Sequence, residues 1–380
     1  MASFFLLAKS FIFDRLRKLS TKFVYIVCCL KCYHQWMLQT VSKLKSVNMV
    51  EKKEKEVRGK YSVVSLFSGC GGLDLGFKGD FSVLGKRYSA RSFKVEWAND
   101  FDEKACLTYS KNFKDPIVCG DITKILEGKY PDLLSPEMPL QADVVLGGFP
   151  CQDFSLAGKR EGFAGRRGVL YQSMVETVRR LKPAVFVAEN VKGLLSMDDG
   201  KAIETIIKDF AKIGYTVTYK LHHAANFGVP QNRERVIIAG TNKKKGLPAF
   251  EFPGETHTKE KWVTLEKAIG ELASIKEGML PNHHWSGAKM FFGTQGNSYT
   301  KADKIGPTMR AEHHGNIEWH WNAKRRLSAR EAARIQTFPD TFVFHPSTSS
   351  AYKQIGNAVP PVLGWHIATA VERFLNKYLP

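Results

Sequence analysis

Few architectures accommodate the pattern that runs from Tyr61 to Gly240, where short apolar runs rich in β-branched residues alternate with longer segments of helical period. An unbroken apolar run of about five residues wants burial on both faces, and helices between such runs cover a parallel sheet on both sides. Strands are expected at 62–66, 93–98, 116–119, 143–146, 184–188, 216–221 and 235–239. Helices fall between them. One is expected at 169–181, where Leu170, Met174, Val178 and Leu181 recur on one face, and another at 201–213. The fold class is therefore α/β, Rossmann-like and doubly wound, with a mostly parallel sheet.

After Gly240 the alternation stops, and residues 241 to about 325 turn rich in Lys, Gly, Pro, His and aromatics. That shift marks a smaller domain, expected over 243–350, beside a larger one over 61–242; 380 residues suffice for two unequal cores. Regular structure resumes at 327–336 and in a last helix near 361–377, within a segment 351–380 expected to return to the larger domain. Residues 1–60 form an N-terminal extension. Its first 48 residues mix apolar runs with Lys9, Arg15, Arg17, Lys18 and Lys22, which suits neither a membrane span nor a signal peptide. A start at Met49, directly before the charged leader EKKEKEVRGK, is the expectation. The net charge of +19 draws polyanions such as nucleic acid, and +12 remains once residues 1–48 are set aside. The seven cysteines show no disulfide-framework spacing, which fits a reducing cytoplasm, and the lone pair Cys29 and Cys32 lacks further zinc ligands.

Chemistry gathers where these strands end. The first runs into Phe67-Ser68-Gly69-Cys70-Gly71-Gly72, a turn where backbone can approach a nucleotide-like ligand, although ordinary strand-to-helix turns look similar. The next two end in Asp100 and Asp121, acids able to accept hydrogen bonds from a ribose and an adenine amino group in the crevice of a doubly wound sheet. The fourth ends in Gly147-Gly148-Phe149-Pro150-Cys151-Gln152. A lone cysteine is more often a small buried hydrophobe, but here glycines and a proline hold the thiol on a rim loop, where a thiolate can act as nucleophile. The fifth ends in Glu189-Asn190, whose carboxyl group suits sharing a proton or capping a helix. In Gln231-Asn232-Arg233-Glu234-Arg235 two guanidiniums stand at alternate positions, so on an extended chain both face one side, suited to phosphate or a base carbonyl.

Together these residues resemble the cytosine-5 DNA methyltransferase family, of bacterial restriction-modification type. Six blocks occur in family order between about 63 and 365: SLFSGCGGLDLGF, GGFPCQDFS, AENVKGL, QNRERVIIAG, RRLSAREAARIQTFPD and YKQIGNAVPP. The resemblance implies the S-adenosylmethionine-dependent methyltransferase fold. It implies that Phe67, Gly69, Gly71, Gly72 and Pro150 border S-adenosylmethionine, that Asp100 holds its ribose, that Phe101 and Ile122 sandwich the adenine, and that Asp121 meets the adenine edge. Asn357 and Val359 would close that pocket. Cys151 is implied as nucleophile, Glu189 as the group on the cytosine Watson–Crick edge, and Arg233 and Arg235 as the pair holding a flipped nucleotide. The family often has aspartate where Ser65 stands and glutamate where Asp100 stands, which makes Asp102 an alternative ribose partner.

The implied reaction explains the residue types. Thiolate attack on carbon 6 makes carbon 5 nucleophilic toward a sulfonium methyl, and stacked bases hide carbon 6, so the cytosine must flip out. Residues 152–171 suit a moving cover, with Gly158, Gly162, Gly165 and Gly168 as hinges and Lys159, Arg160, Arg166 and Arg167 toward phosphates, although such a loop is often only surface. DNA contacts are expected from Gln152, Ser155, Lys159, Arg167 and Arg310. The smaller domain would read bases with His283, His284, Gln295, Asn297, Arg310, His313, His314 or Asn316. Metal is not expected. An RNA-modifying relative would carry a Cys-Phe-Thr segment, which is missing, and a pure DNA-binding protein would not need the rim thiol. The partner expected is double-stranded DNA, with a restriction endonuclease acting separately, and the chain is expected to be a cytoplasmic monomer.

Overall fold

The computed structural model describes residues 61–132, 135–149, 169–290, 297–311 and 317–379. Its strands are β1 (Tyr61–Leu66), β2 (Phe81–Val83), β3 (Lys86–Tyr88), β4 (Phe93–Asp100), β5 (Ile117–Cys119), β6 (Val144–Gly147), β7 (Val185–Val191), β8 (Tyr215–His223) and β9 (Glu234–Asn242). Its helices are α1 (Gly72–Lys78), α2 (Glu103–Asn112), α3 (Ile122–Leu126), α4 (Val169–Leu181), α5 (Lys201–Lys212), α6 (Leu265–Ile269), α7 (Ala329–Ile335), α8 (Thr348–Asn357) and α9 (Pro361–Tyr378). Each expected strand is present, with its ends within three residues of the expected ones.

Seven strands form one sheet in the order β5-β4-β1-β6-β7-β9-β8, while β2 and β3 make a separate hairpin. All its pairings are parallel except those of β9, which runs against both β7 and β8. The chain moves outward from β1 through β4 to β5, then returns with β6 on the other side of β1. At such a reversal the connections diverge, opening a crevice beyond the carboxyl ends of the strands. Because β9 is antiparallel, its first residues lie at that same end: Arg235 pairs with Val191, the last residue of β7.

Side chains on a strand alternate between faces. Val64, Leu66, Val145, Phe186 and Ile238 bury against Tyr171, Met174 and Val178 of α4 and Ile206 and Phe210 of α5. Val63, Val95, Leu146, Val187 and Ile237 turn the other way, toward Phe77 of α1 and Ile367 and Val371 of α9. Each such side chain contributes about 1.5–3 kcal/mol when fully buried, which is why the strand runs read as continuously apolar. The face anticipated for α4 is buried at Met174, Val178 and Leu181, with Tyr171 beside them.

Residues beyond β9 join the second of these cores through Leu247, Phe250, Leu265, Ile269, Met309 and Leu327. Among the described residues from 243 to 328 there is no strand, only isolated bridges such as Tyr299 with Trp319. Backbone carbonyls without a ladder still need donors, and buried arginines supply them. Arg326 donates to Ala288 O at 2.9 Å and Lys289 O at 2.8 Å. Arg330 donates to Pro281 O at 2.9 Å, Pro339 O at 3.1 Å and Phe342 O at 2.8 Å. Ser328 and Glu331 form a capping box on α7, and Arg325 grips Glu331 with two hydrogen bonds of 2.8 Å. The hairpin and α8 were not anticipated: three-residue strands are too short to show a period, and α8 opens on Ser and Thr and carries a glycine.

Candidate functional site

The crevice at the strand ends has two sides. On the first, β1 passes into the glycine turn, with Phe67 at φ 53° and Ser68 donating its N–H to Asn99 O at 2.9 Å. Gly72 admits no side chain, since a Cβ there would stand 2.4 Å from Val359 O. The segment after α8 thus lies directly on the turn, bringing Val359 to it, with Asn357 exposed nearby in the chain. Asp100, at the end of β4, accepts the Gly69 N–H at 2.7 Å and the Asp102 N–H at 2.8 Å. Burial pushes its carboxyl above the usual range despite those bonds. Asp102 is otherwise engaged: it caps α2 through the N–H groups of Lys104 and Ala105 and pairs with Lys353 at 2.9 Å. Both acids thus have internal partners, and Asp102 stays the alternative to Asp100.

Asp121 caps α3 with Oδ1, which accepts from Thr123 N at 2.9 Å and Thr123 Oγ1 at 2.7 Å; Oδ2 has no partner among the described residues. Ile122 next to it is buried, whereas Phe101 holds its ring 77% exposed. An exposed ring and a free carboxylate oxygen at neighbouring strand ends are what a stacked, hydrogen-bonded base would use. This side therefore fits an adenosine-bearing cofactor.

On the second side, Glu189 is 8% exposed and lies in an ion pair with Arg235, whose Nε stands 2.8 Å from Oε1. The contact is not aligned as a hydrogen bond, and Oε1 has no hydrogen-bond partner among the described residues. Gly148 borders the carboxylate, as a Cβ on it would lie 3.7 Å from Glu189 Oε2. Asn190 donates to Phe149 O at 2.9 Å, holding the chain just before Pro150 and Cys151. Pro150, Cys151, Gln152, Ser155, Lys159 and Arg167, with the hinge glycines, Arg160 and Arg166, lie outside the described residues.

One expectation is corrected. Arg233 does not stand open beside Arg235: it precedes β9, is 1% exposed, and donates to Met309 O at 3.0 Å, Gly356 O at 3.2 Å and Ala358 O at 2.9 Å. Burial, with Arg235 nearby, pushes its pKa down to about 9. It is anchored to the chain's own backbone, while Arg235 forms the ion pair with Glu189. Two candidate base readers are also engaged internally. His283 is buried between Ser328 Oγ at 2.9 Å and Ile275 O at 3.1 Å, and Asn297 Oδ1 accepts from Arg326 at 2.8 Å. His284 and Arg310 are exposed, His284 lying 3.5 Å from Glu277. Gln295, His313, His314 and Asn316 lie outside the described residues. Sequence reasoning missed the buried Gln231 and Gln336, which bond to each other; their place inside two of the six blocks was the available signal. Among the described residues no group of three or more potential metal ligands occurs, and no helix is long and apolar enough to cross a membrane.

A family model for C-5 cytosine-specific DNA methylase matches residues 61–305 and 281–373. Type II methyltransferase M.NgoFVII of Neisseria gonorrhoeae is 39% identical over 333 residues, covering 80% of this chain and 84% of that protein. Type II methyltransferase M.BsuRI of Bacillus subtilis is 34% identical over 369 residues, covering 84% and 81%. Among solved structures, the Dnmt2 methyltransferase of S. pombe shares the fold with a TM-score of 0.60 at 14% identity, over 84% of this chain and 100% of that one.

Proposed function

Since this chain belongs to the C-5 cytosine-specific DNA methylase family, we propose that it methylates carbon 5 of cytosine in duplex DNA through a covalent intermediate on Cys151, with S-adenosylmethionine as methyl donor. The observation that carries the reading is the meeting, at one end of one sheet, of the glycine turn with Asp100, Phe101 and Asp121 and of the Glu189–Arg235 pair with the strand entering Pro150 and Cys151.

On the first side, Asp100 would hold the ribose, Phe101 and Ile122 the adenine faces, and Asp121 Oδ2 the adenine edge, while Phe67, Gly69, Gly71, Gly72, Pro150, Asn357 and Val359 border the rest. When bound, S-adenosylmethionine supplies an electrophilic methyl group. The Cys151 thiolate adds to carbon 6 of a flipped cytosine, and Glu189 shares a proton with ring nitrogen 3 as electron density builds on the ring. Arg235 fixes that carboxyl group and stands ready for the cytosine carbonyl or its phosphate. Loss of the carbon 5 proton to a base then expels the thiolate. Gln152, Ser155, Lys159 and Arg167 would meet the phosphates, and residues 243–350 would choose the sequence, with Arg310 and His284 the exposed candidates. The chain would serve as the modification half of a restriction-modification system, as a cytoplasmic monomer beside a separate endonuclease.

The test uses duplex DNA carrying 5-fluorocytosine and labelled S-adenosylmethionine, comparing the natural chain with Cys151→Ala on a denaturing gel. A labelled, denaturant-resistant adduct only with the natural chain is expected. An adduct formed with RNA alone would overturn the substrate, and no adduct with any duplex would leave a DNA-binding protein as the better reading.

A further inference from the structure

Three functional regions converge on one buried guanidinium. Both terminal nitrogens of Arg233 donate to Gly356 O at 3.2 Å, and one of them also reaches Met309 O, the other Ala358 O. A second path joins the same two ends. Gln231 Oε1 accepts the Met309 N–H at 2.9 Å, its amide nitrogen donates to Gln336, and Gln336 in turn donates to Ala358 O. Met309 adjoins Arg310, the exposed candidate for DNA contact. Gly356 and Ala358 flank Asn357 and lead into Val359, which lies against the glycine turn. Two residues further along the chain, Arg235 pairs with Glu189.

Packing removes slack between the two segments: a Cβ on Gly356 would fall 2.0 Å from the carbonyl carbon of Arg310. Neither segment can shift by an ångström without moving the other, because close-packed interiors transmit displacement. Burying a guanidinium carries a desolvation cost before its bonds are counted, and here Nε has no partner among the described residues. A methionine would fill similar volume without that cost, but could not tie three carbonyls together.

Building on the function proposed above, we propose that Arg233, with the Gln231–Gln336 pair, is a positioning device that makes binding of the cofactor and binding of DNA depend on each other. DNA pressing on the segment at Met309 and Arg310 sets the position of residues 356–359 over the glycine turn, and a filled pocket sets the DNA-contacting segment. Such coupling is reciprocal by linkage.

Calorimetry with S-adenosylhomocysteine, alone and with a saturating duplex containing every four-base sequence, measures it. In the natural chain each ligand is expected to tighten the other about tenfold. In Arg233→Met the separate affinities should stay within about threefold while the mutual enhancement falls below about twofold, and Arg233→Lys should restore part of it. If Arg233→Met does not fold, Gln336→Met, which cuts one path of the two, should still lower the enhancement. A folded variant that keeps the full enhancement, or loses both affinities with the ratio unchanged, overturns the proposal. Natural chain that binds both ligands without mutual effect overturns this proposal alone, whereas failure to bind either overturns the function with it.

Discussion

Charged groups at the ends of β5 and β7 and the arginines between Pro281 and Phe344 are used in opposite ways. At the strand ends, Asp121 Oδ2 and Glu189 Oε1 lack a hydrogen-bond partner among the described residues, and Phe101 leaves a ring in solvent. In the other stretch, Arg325, Arg326 and Arg330 are buried or nearly so and engage Glu331 and at least five backbone carbonyls. Glu189 on one side and Arg325, Arg326 and Arg330 on the other fall in blocks shared with the family, and both regions are rich in charge. Unfilled bonding capacity in a crevice invites a ligand, while the same groups filled internally substitute for a missing sheet ladder. The contrast separates chemistry from architecture better than residue type does.

Substitutions that act on one property and spare the other sharpen that contrast. Glu189→Gln should lower the DNA methylation rate about a thousandfold, with little change in thermal midpoint; a large midpoint drop without loss of rate would reverse the assignment. Arg330→Met should do the opposite. Three carbonyls lose their donor, and urea unfolding should register a loss of about 3 kcal/mol, with turnover per folded molecule unchanged. Phe101→Ala should weaken S-adenosylhomocysteine binding about tenfold, in keeping with the stacking of a base on an aromatic ring, and leave urea stability alone because the ring is already in water.

A pH-dependent effect concerns Asp74, buried behind the glycine turn with Oδ1 near the Tyr109 hydroxyl at 3.2 Å and Oδ2 unpartnered among the described residues. Burial pushes its pKa up to about 6. The folded chain thus keeps a proton that the unfolded chain releases near pH 4. The stability this contributes is complete below pH 4 and is lost as pH rises through 6. Asp74→Asn should therefore be more stable than the natural chain at pH 7.5 by at most about 3 kcal/mol, with the gap closing between pH 6 and pH 4. Thermal midpoints across that range decide it, and a gap independent of pH would show that ionisation of Asp74 is not the cause.

The amino-acid order alone determined the sheet, because burial on two faces leaves a run such as Val63-Val64 no polar alternative, and it marked where the proposed chemistry would collect, since Asp100, Asp121, Cys151 and Glu189 each follow such a run. It also carried the family, through six blocks whose spacing survives without any coordinates. What it did not determine was the use of each charged or polar side chain away from the strand ends. Arg233 and Arg235 stand two positions apart and read alike, yet one anchors Met309 and Ala358, which lie 76 and 125 residues away, and the other meets Glu189. His283 reads as a base reader but is closed between Ser328 and Ile275. The physical reason is common to both: the strand signal is periodic and local, whereas whether a guanidinium or imidazole meets solvent, ligand or a distant carbonyl depends on chain that only the folded state brings near.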